Sequence, residues 1–75
     1  MSVATHQPPK ILNVELDREA DGRWIADVPE LPGVLVYGKT REDALAKVQA
    51  LALRVLADMI EQNGSLQTEV RFVIP

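Results

Sequence analysis

Pro29 and Pro32 determine where this chain can run straight and where it must turn. A proline has no amide hydrogen for a sheet ladder, so Pro29 must end any strand that reaches it. Pro32-Gly33 pairs a fixed φ with a residue that tolerates positive φ, the combination a type II turn requires. Seven residues after Gly33, Thr40 opens a helix, with Glu42 and Asp43 in the first turn, where the dipole favours acid. The stretch Asp21 to Ala44, DGRWIADVPELPGVLVYGKTREDA, therefore holds strand, rigid turn, strand and helix start in close succession.

The flanking segments follow the same logic. Ile11 to Asp17 alternates, with Leu12, Val14 and Leu16 on one face and Asn13, Glu15 and Asp17 on the other, which predicts one half-buried strand. Glu19-Ala20-Asp21-Gly22 reads as a hairpin connection. Arg23 to Val28 is a second strand with Trp24, Ala26 and Val28 inward, and Val34 to Tyr37 a short third one. Thr40 with Asp43 approximates a capping box. Leu45, Val48, Leu51, Ala52, Val55, Leu56 and Met59 then keep helical spacing up to an Asn63-Gly64 stop. The end alternates again, with Leu66, Val70, Phe72 and Ile74 inward and Gln67, Glu69 and Arg71 outward.

The order β-β-β-α-β defines an α+β domain over residues 11–75, behind a flexible tail at 1–10. It predicts a four-stranded, mostly antiparallel sheet in the order third, second, first, fourth, with the fourth strand parallel to the first and one helix covering one face. Glycines 22, 33 and 38 are expected to shape turns.

Composition narrows the function. With 75 residues and no cysteine, stability must come from burial or association. Eleven acidic and eight scattered basic side chains give a net charge of −3, so direct nucleic-acid binding is not expected. No apolar run is long enough for a membrane helix and the start is not a signal peptide, which makes the cytoplasm the default location. The lone histidine, His6, falls in the tail, and no Ser or Cys stands beside a base, so no catalytic residue, metal or cofactor is assigned. Because β-β-β-α-β also opens a ribonuclease H-like fold, a metal cluster at Glu15, Asp27 and Glu69 is the enzymatic alternative. The competing reading is a solvated face where Asn13, Arg23 and Arg71 offset these acids across strands.

The helix carries a second apolar stripe, Ala46, Ala50, Leu53 and Ala57, nearly opposite the first. Alanine is a strong helix former at exposed sites, but Leu53 is not explained that way and points to self-association.

Gly22, Trp24, Pro29-Glu30-Leu31-Pro32-Gly33, Gly38 and Thr40-Arg41-Glu42-Asp43-Ala44, in this order and spacing, resemble the signature of the HicB-like antitoxin family. The match runs from about Ile11 to Gly64, with Val34 where many relatives carry Cys. The resemblance implies a partial ribonuclease H-like fold without nuclease activity. It also implies a protein-binding role in a toxin–antitoxin system: steric inhibition of a small basic HicA-type mRNA-cleaving toxin. Glu15, Asp27, Tyr37 and Glu69 are the contact residues expected on the sheet face, and a homo-oligomer, dimer or tetramer, is expected from the helix stripe. Many relatives continue into a DNA-binding domain, whereas this sequence ends at Pro75. A solitary oligomeric scaffold is the remaining alternative.

Overall fold

The computed structural model describes residues 9–64 and 66–75. His6 and most of the tail assigned to 1–10 lie outside the described residues. The elements are β1 (Lys10–Asn13), β2 (Glu15–Arg18), β3 (Trp24–Asp27), β4 (Leu35–Gly38), α1 (Arg41–Asn63) and β5 (Val70–Val73). The chain is thus α+β, with one helix and five strands in two sheets among the described residues.

The expected neighbours are all present, but the first strand is not one strand. It breaks at Val14. Its first half, β1, pairs in parallel with β5, and its second half, β2, pairs antiparallel with β3, which in turn pairs with β4. The single four-stranded sheet expected from the sequence is therefore a two-stranded parallel sheet beside a three-stranded antiparallel one.

The cause of the break lies across the sheet. β3 stops at Asp27 because the chain turns at Pro29, leaving no strand beside the far edge of β1. The Glu30 carboxylate fills that place: it accepts the Asn13 amide at 3.0 Å and also the Asn13 side-chain amide. Side-chain parity survives the break. Leu12 and Val14 are buried and Leu16 packs on the core, while Ile11, Asn13, Glu15 and Asp17 face out.

The turns follow their residue chemistry. Gly22 (φ 93°) closes the β2–β3 hairpin, where the Glu19 amide donates to the Arg23 carbonyl. Gly33 (φ 82°) completes the Leu31-Pro32-Gly33-Val34 turn, in which the Val34 amide donates to Leu31. Leu31, anchored between the prolines, is buried.

Gly38 plays a different part from the one expected. Its φ is not positive, and its role is close approach. A Cβ there would lie 2.4 Å from the Ala44 nitrogen, 2.7 Å from its Cα and 2.9 Å from its Cβ. The first turn of α1 thus sits directly on the end of β4, and Ala44 is fully buried. Thr40 caps the helix through the Asp43 amide at 3.0 Å, while the Asp43 carboxylate reaches one residue further back, to the Lys39 amide at 3.1 Å.

Gly64 ends α1 in the left-handed region, as its position suggests. Ala44, Val48, Ala52 and Leu56 form the buried stripe, which packs on β3 and β4 against Ala26, Val28 and Val34. At the chain's end the inward assignment holds for Val70 and Phe72. It fails for Leu66 and Ile74, which are 60% and 48% exposed because nothing described covers them beyond the β1–β5 ladder. The Arg41 guanidinium at the helix start donates to the Pro75 carbonyl.

Replacing Gly38 with Ala forces backbone apart, whereas Gly33→Ala adds a methyl to open space in an unfavourable φ. Overpacking of this kind costs about 1–3 kcal/mol or more, against roughly 1–2 kcal/mol for a left-handed non-glycine residue. In urea unfolding, Gly38→Ala should lower the midpoint more than Gly33→Ala. Equal midpoints would contradict the close packing.

Candidate functional site: the uncovered sheet face

Because α1 lies on one side of β3 and β4, the outward residues of the strands share one open surface. Register places them in rows. Glu15, Asp27 and Leu35 form one row, and Asp17, Ile25 and Tyr37 the next. On the parallel pair, Ile11 lies beside Arg71 and Asn13 beside Val73. Leu35 is 48% and Tyr37 42% exposed, so the antiparallel half presents apolar side chains on β4 beside carboxylates on β2 and β3.

Glu15 and Asp27 face each other directly across the β2–β3 ladder. The compensation expected from neighbouring cations does not reach these two acids. Arg23 instead pairs with Asp21 at 2.8 Å and stacks on Tyr37, 4.4 Å from the ring centroid. Arg71 pairs with Glu69, just ahead of its own strand. Among the described residues, neither Glu15 nor Asp27 has a side-chain hydrogen bond or ion pair. Like charges directly opposite are destabilising on the scale of cross-strand pairs, roughly 0.2–1 kcal/mol.

Glu69 does not join them. Its carbonyl accepts the Lys10 amide at the start of β1, and the run from Lys10 to Glu15 spans on the order of 16 Å. The structure brings Glu15, Asp27 and Tyr37 onto one surface and leaves Glu69 at the far end. Among the described residues no group of three or more His, Cys, Asp or Glu is placed to hold a metal ion, so the three-carboxylate cluster loses its geometric basis. The sequence reading missed Asp17, Ile25 and Leu35, although the alternation that placed Glu15 and Asp27 outward applies equally to them.

Trp24 is half-buried against the core, with the Arg18 guanidinium 5.5 Å above its ring. On the helix, Ala46, Leu53 and Ala57 are exposed, Leu53 by 47%, and Ala50 is half-buried. No helix among the described residues is long and apolar enough to cross a membrane.

Three other carboxylates are engaged as clamps on the backbone. The Arg23 amide, then the Arg23 guanidinium, holds Asp21 below its ordinary value. The Asn13 side-chain amide leads in depressing Glu30. The Lys39 amide leads for Asp43, followed by the Lys47 ammonium 3.1 Å away.

Over 51 residues, 68% of this chain and 72% of the relative, the sequence is 29% identical to UPF0150 protein Ta0767 of Thermoplasma acidophilum. No family model and no solved structure matches the chain significantly.

The clamps set the acid response. A carboxyl whose folded pKa is depressed stabilises the fold above its unfolded value and loses that contribution as pH falls through the folded one. The ordinary values are 4.5 for Glu30 and 3.8 for Asp43, so the loss should begin below about pH 5 and continue beneath pH 4. A Glu30→Gln, Asp43→Asn double variant should melt lower than wild type at pH 7 and show a flatter fall in Tm from pH 5 to pH 2.5. An unchanged slope would contradict the clamp role.

Proposed function

We propose that this chain is an antitoxin-type protein-binding module of the HicB-like kind. In this reading it is cytoplasmic, has a partial ribonuclease H-like architecture, and neutralises a small basic HicA-type ribonuclease by covering its RNA-binding surface. The observation that carries the reading is the Glu15–Asp27 pair, two unpaired carboxylates on an open sheet face beside exposed Leu35 and Tyr37. A cationic side chain of a partner would relieve their repulsion, and the neighbouring apolar residues would add area that water gives up. The ordered glycines, prolines and helix cap that resemble the HicB-like signature support the same reading, and the 29% identical relative covers most of both chains.

Inhibition would then be steric occlusion aided by charge, since carboxylates would stand where RNA phosphates otherwise lie. Self-association through Ala46, Ala50, Leu53 and Ala57 belongs to the same proposal. Its support is the exposure of Leu53 on a helix where Leu45, Val48, Leu51, Val55, Leu56 and Met59 pack in or on the core.

The test is to inspect the adjacent reading frame for a short basic protein and to co-express it with this chain. Wild type should co-purify with it and rescue growth. Replacing both Glu15 and Asp27 with Lys should weaken binding by at least tenfold while the fold persists. Failure of the wild type to form a complex or to rescue growth would overturn the reading. For the helix stripe, Leu53→Glu should lower the native mass in solution, and an unchanged mass would remove the stripe as an interface.

A further inference from the structure

The open edge of β4 is set up to pair with a copy of itself. β4 bonds to β3 on one side only, and no described strand lies on the other. The Val28 amide donates to the Val34 carbonyl in the same register that pairs Ala26 with Val36 and Trp24 with Gly38, so the even-numbered residues of β4 bond to β3. On the other side of β3, the Glu19–Arg23 bond shows the odd-numbered residues facing β2. The amides and carbonyls of Leu35 and Tyr37 therefore point away from the sheet.

The outward groups are bounded at both ends. At Lys39 the next outward amide is taken by the Asp43 carboxylate. At Gly33 the backbone leaves the extended region with φ 82°. Two residues remain, offering two donors and two acceptors. An antiparallel two-fold about Val36 sets Leu35 opposite Tyr37 of a second copy and the reverse, and the four bonds so formed use every open group. Shifting the register either way calls on Gly33 or Lys39, which are not available. The side chains agree, because Leu35 and Tyr37 would make two aliphatic–aromatic cross-strand pairs on the outer face.

Charge singles out this edge. Val34 to Gly38 holds no charged residue, whereas three of the four residues of β2 are charged and β5 carries Arg71. Such charges are the usual protection of edge strands, and β4 lacks it. In the two-fold register Lys39 falls opposite Gly33, so no like charges meet along the pair. We propose that two copies of this chain associate through β4, joining their three-stranded sheets into one six-stranded sheet.

The area argues for weak association. Leu35 and Tyr37 close on the order of 200 Å² per copy, against about 800 Å² per partner in a standard stable interface. Dimer should therefore appear reversibly at about 0.1–1 mM. This interface is separate from the helix stripe and independent of any toxin.

Sedimentation equilibrium and amide hydrogen exchange, each at about 0.02 mM and about 1 mM, test the proposal. Wild type should shift toward higher mass, and the Leu35 and Tyr37 amides should become about two- to fourfold more protected at the higher concentration, as mass action allows. Leu35→Pro removes an outward donor without touching the β3 ladder, and Leu35→Lys adds an edge charge. Both should lose the concentration-dependent mass shift and the added Tyr37 protection, with unchanged circular dichroism, and the Lys variant serves if the Pro variant does not fold. A chain that remains monomeric, or a dimer without added protection at Leu35 and Tyr37, would overturn the proposal. So would a concentration-dependent gain in Tyr37 protection that survives Leu35→Lys, or protection that arises only when a different protein is added.

Discussion

The backbone of Gly38 lies against the first turn of α1, closer to Ala44 than any side chain at position 38 would allow. Much of the molecule depends on that contact. It puts the helix start at the end of β4, on the side of the sheet where Ala26, Val28 and Val34 are buried. From there Val48, Ala52 and Leu56 follow along β3 and β4 and close a core without buried polar groups among the described residues. The cap locks the same corner, since Thr40 holds the Asp43 amide and Asp43 holds the Lys39 amide. A domain this small has little stability to spare, so one close backbone contact and one well-made cap weigh heavily.

Covering one face leaves the other open, and this links fold to function. A sheet with all its apolar residues inward would offer a solvated surface with little to recognise. Here Leu35 and Tyr37 remain outside, next to two carboxylates that register forces together. The cations nearby are engaged elsewhere, Arg23 with Asp21 and Tyr37, and Arg71 with Glu69. In the proposed reading, a basic partner would supply the countercharge that this face lacks within the chain.

Local chemistry was legible in the sequence wherever a residue type permits few conformations. Gly22, Pro29, Pro32-Gly33, Thr40 and Gly64 sit where their backbone preferences place them, and the strand neighbours followed from their order. What depends on distant chain was not legible. Alternation continues unbroken through Val14, so nothing local announces that the strand changes partner there; the cause is the end of β3 and the carboxylate of Glu30. Ala44 is small and gave no hint of a tight contact, and Gly38 read as a turn residue because its neighbour in space was unknown. Leu66 and Ile74 have the right parity but no described element to bury them. In the candidate site, the outward side of each strand was readable, while the meeting of Glu15 with Asp27 needed the register.

Nuclear Overhauser contacts in the isolated chain test this arrangement most directly. Strong cross-peaks should link the Gly38 α-protons to the Ala44 amide and methyl, and no helix residue should contact Ile25, Leu35 or Tyr37 within the monomer. Absence of the Gly38–Ala44 peaks, or helix contacts to those outer residues, would contradict the account.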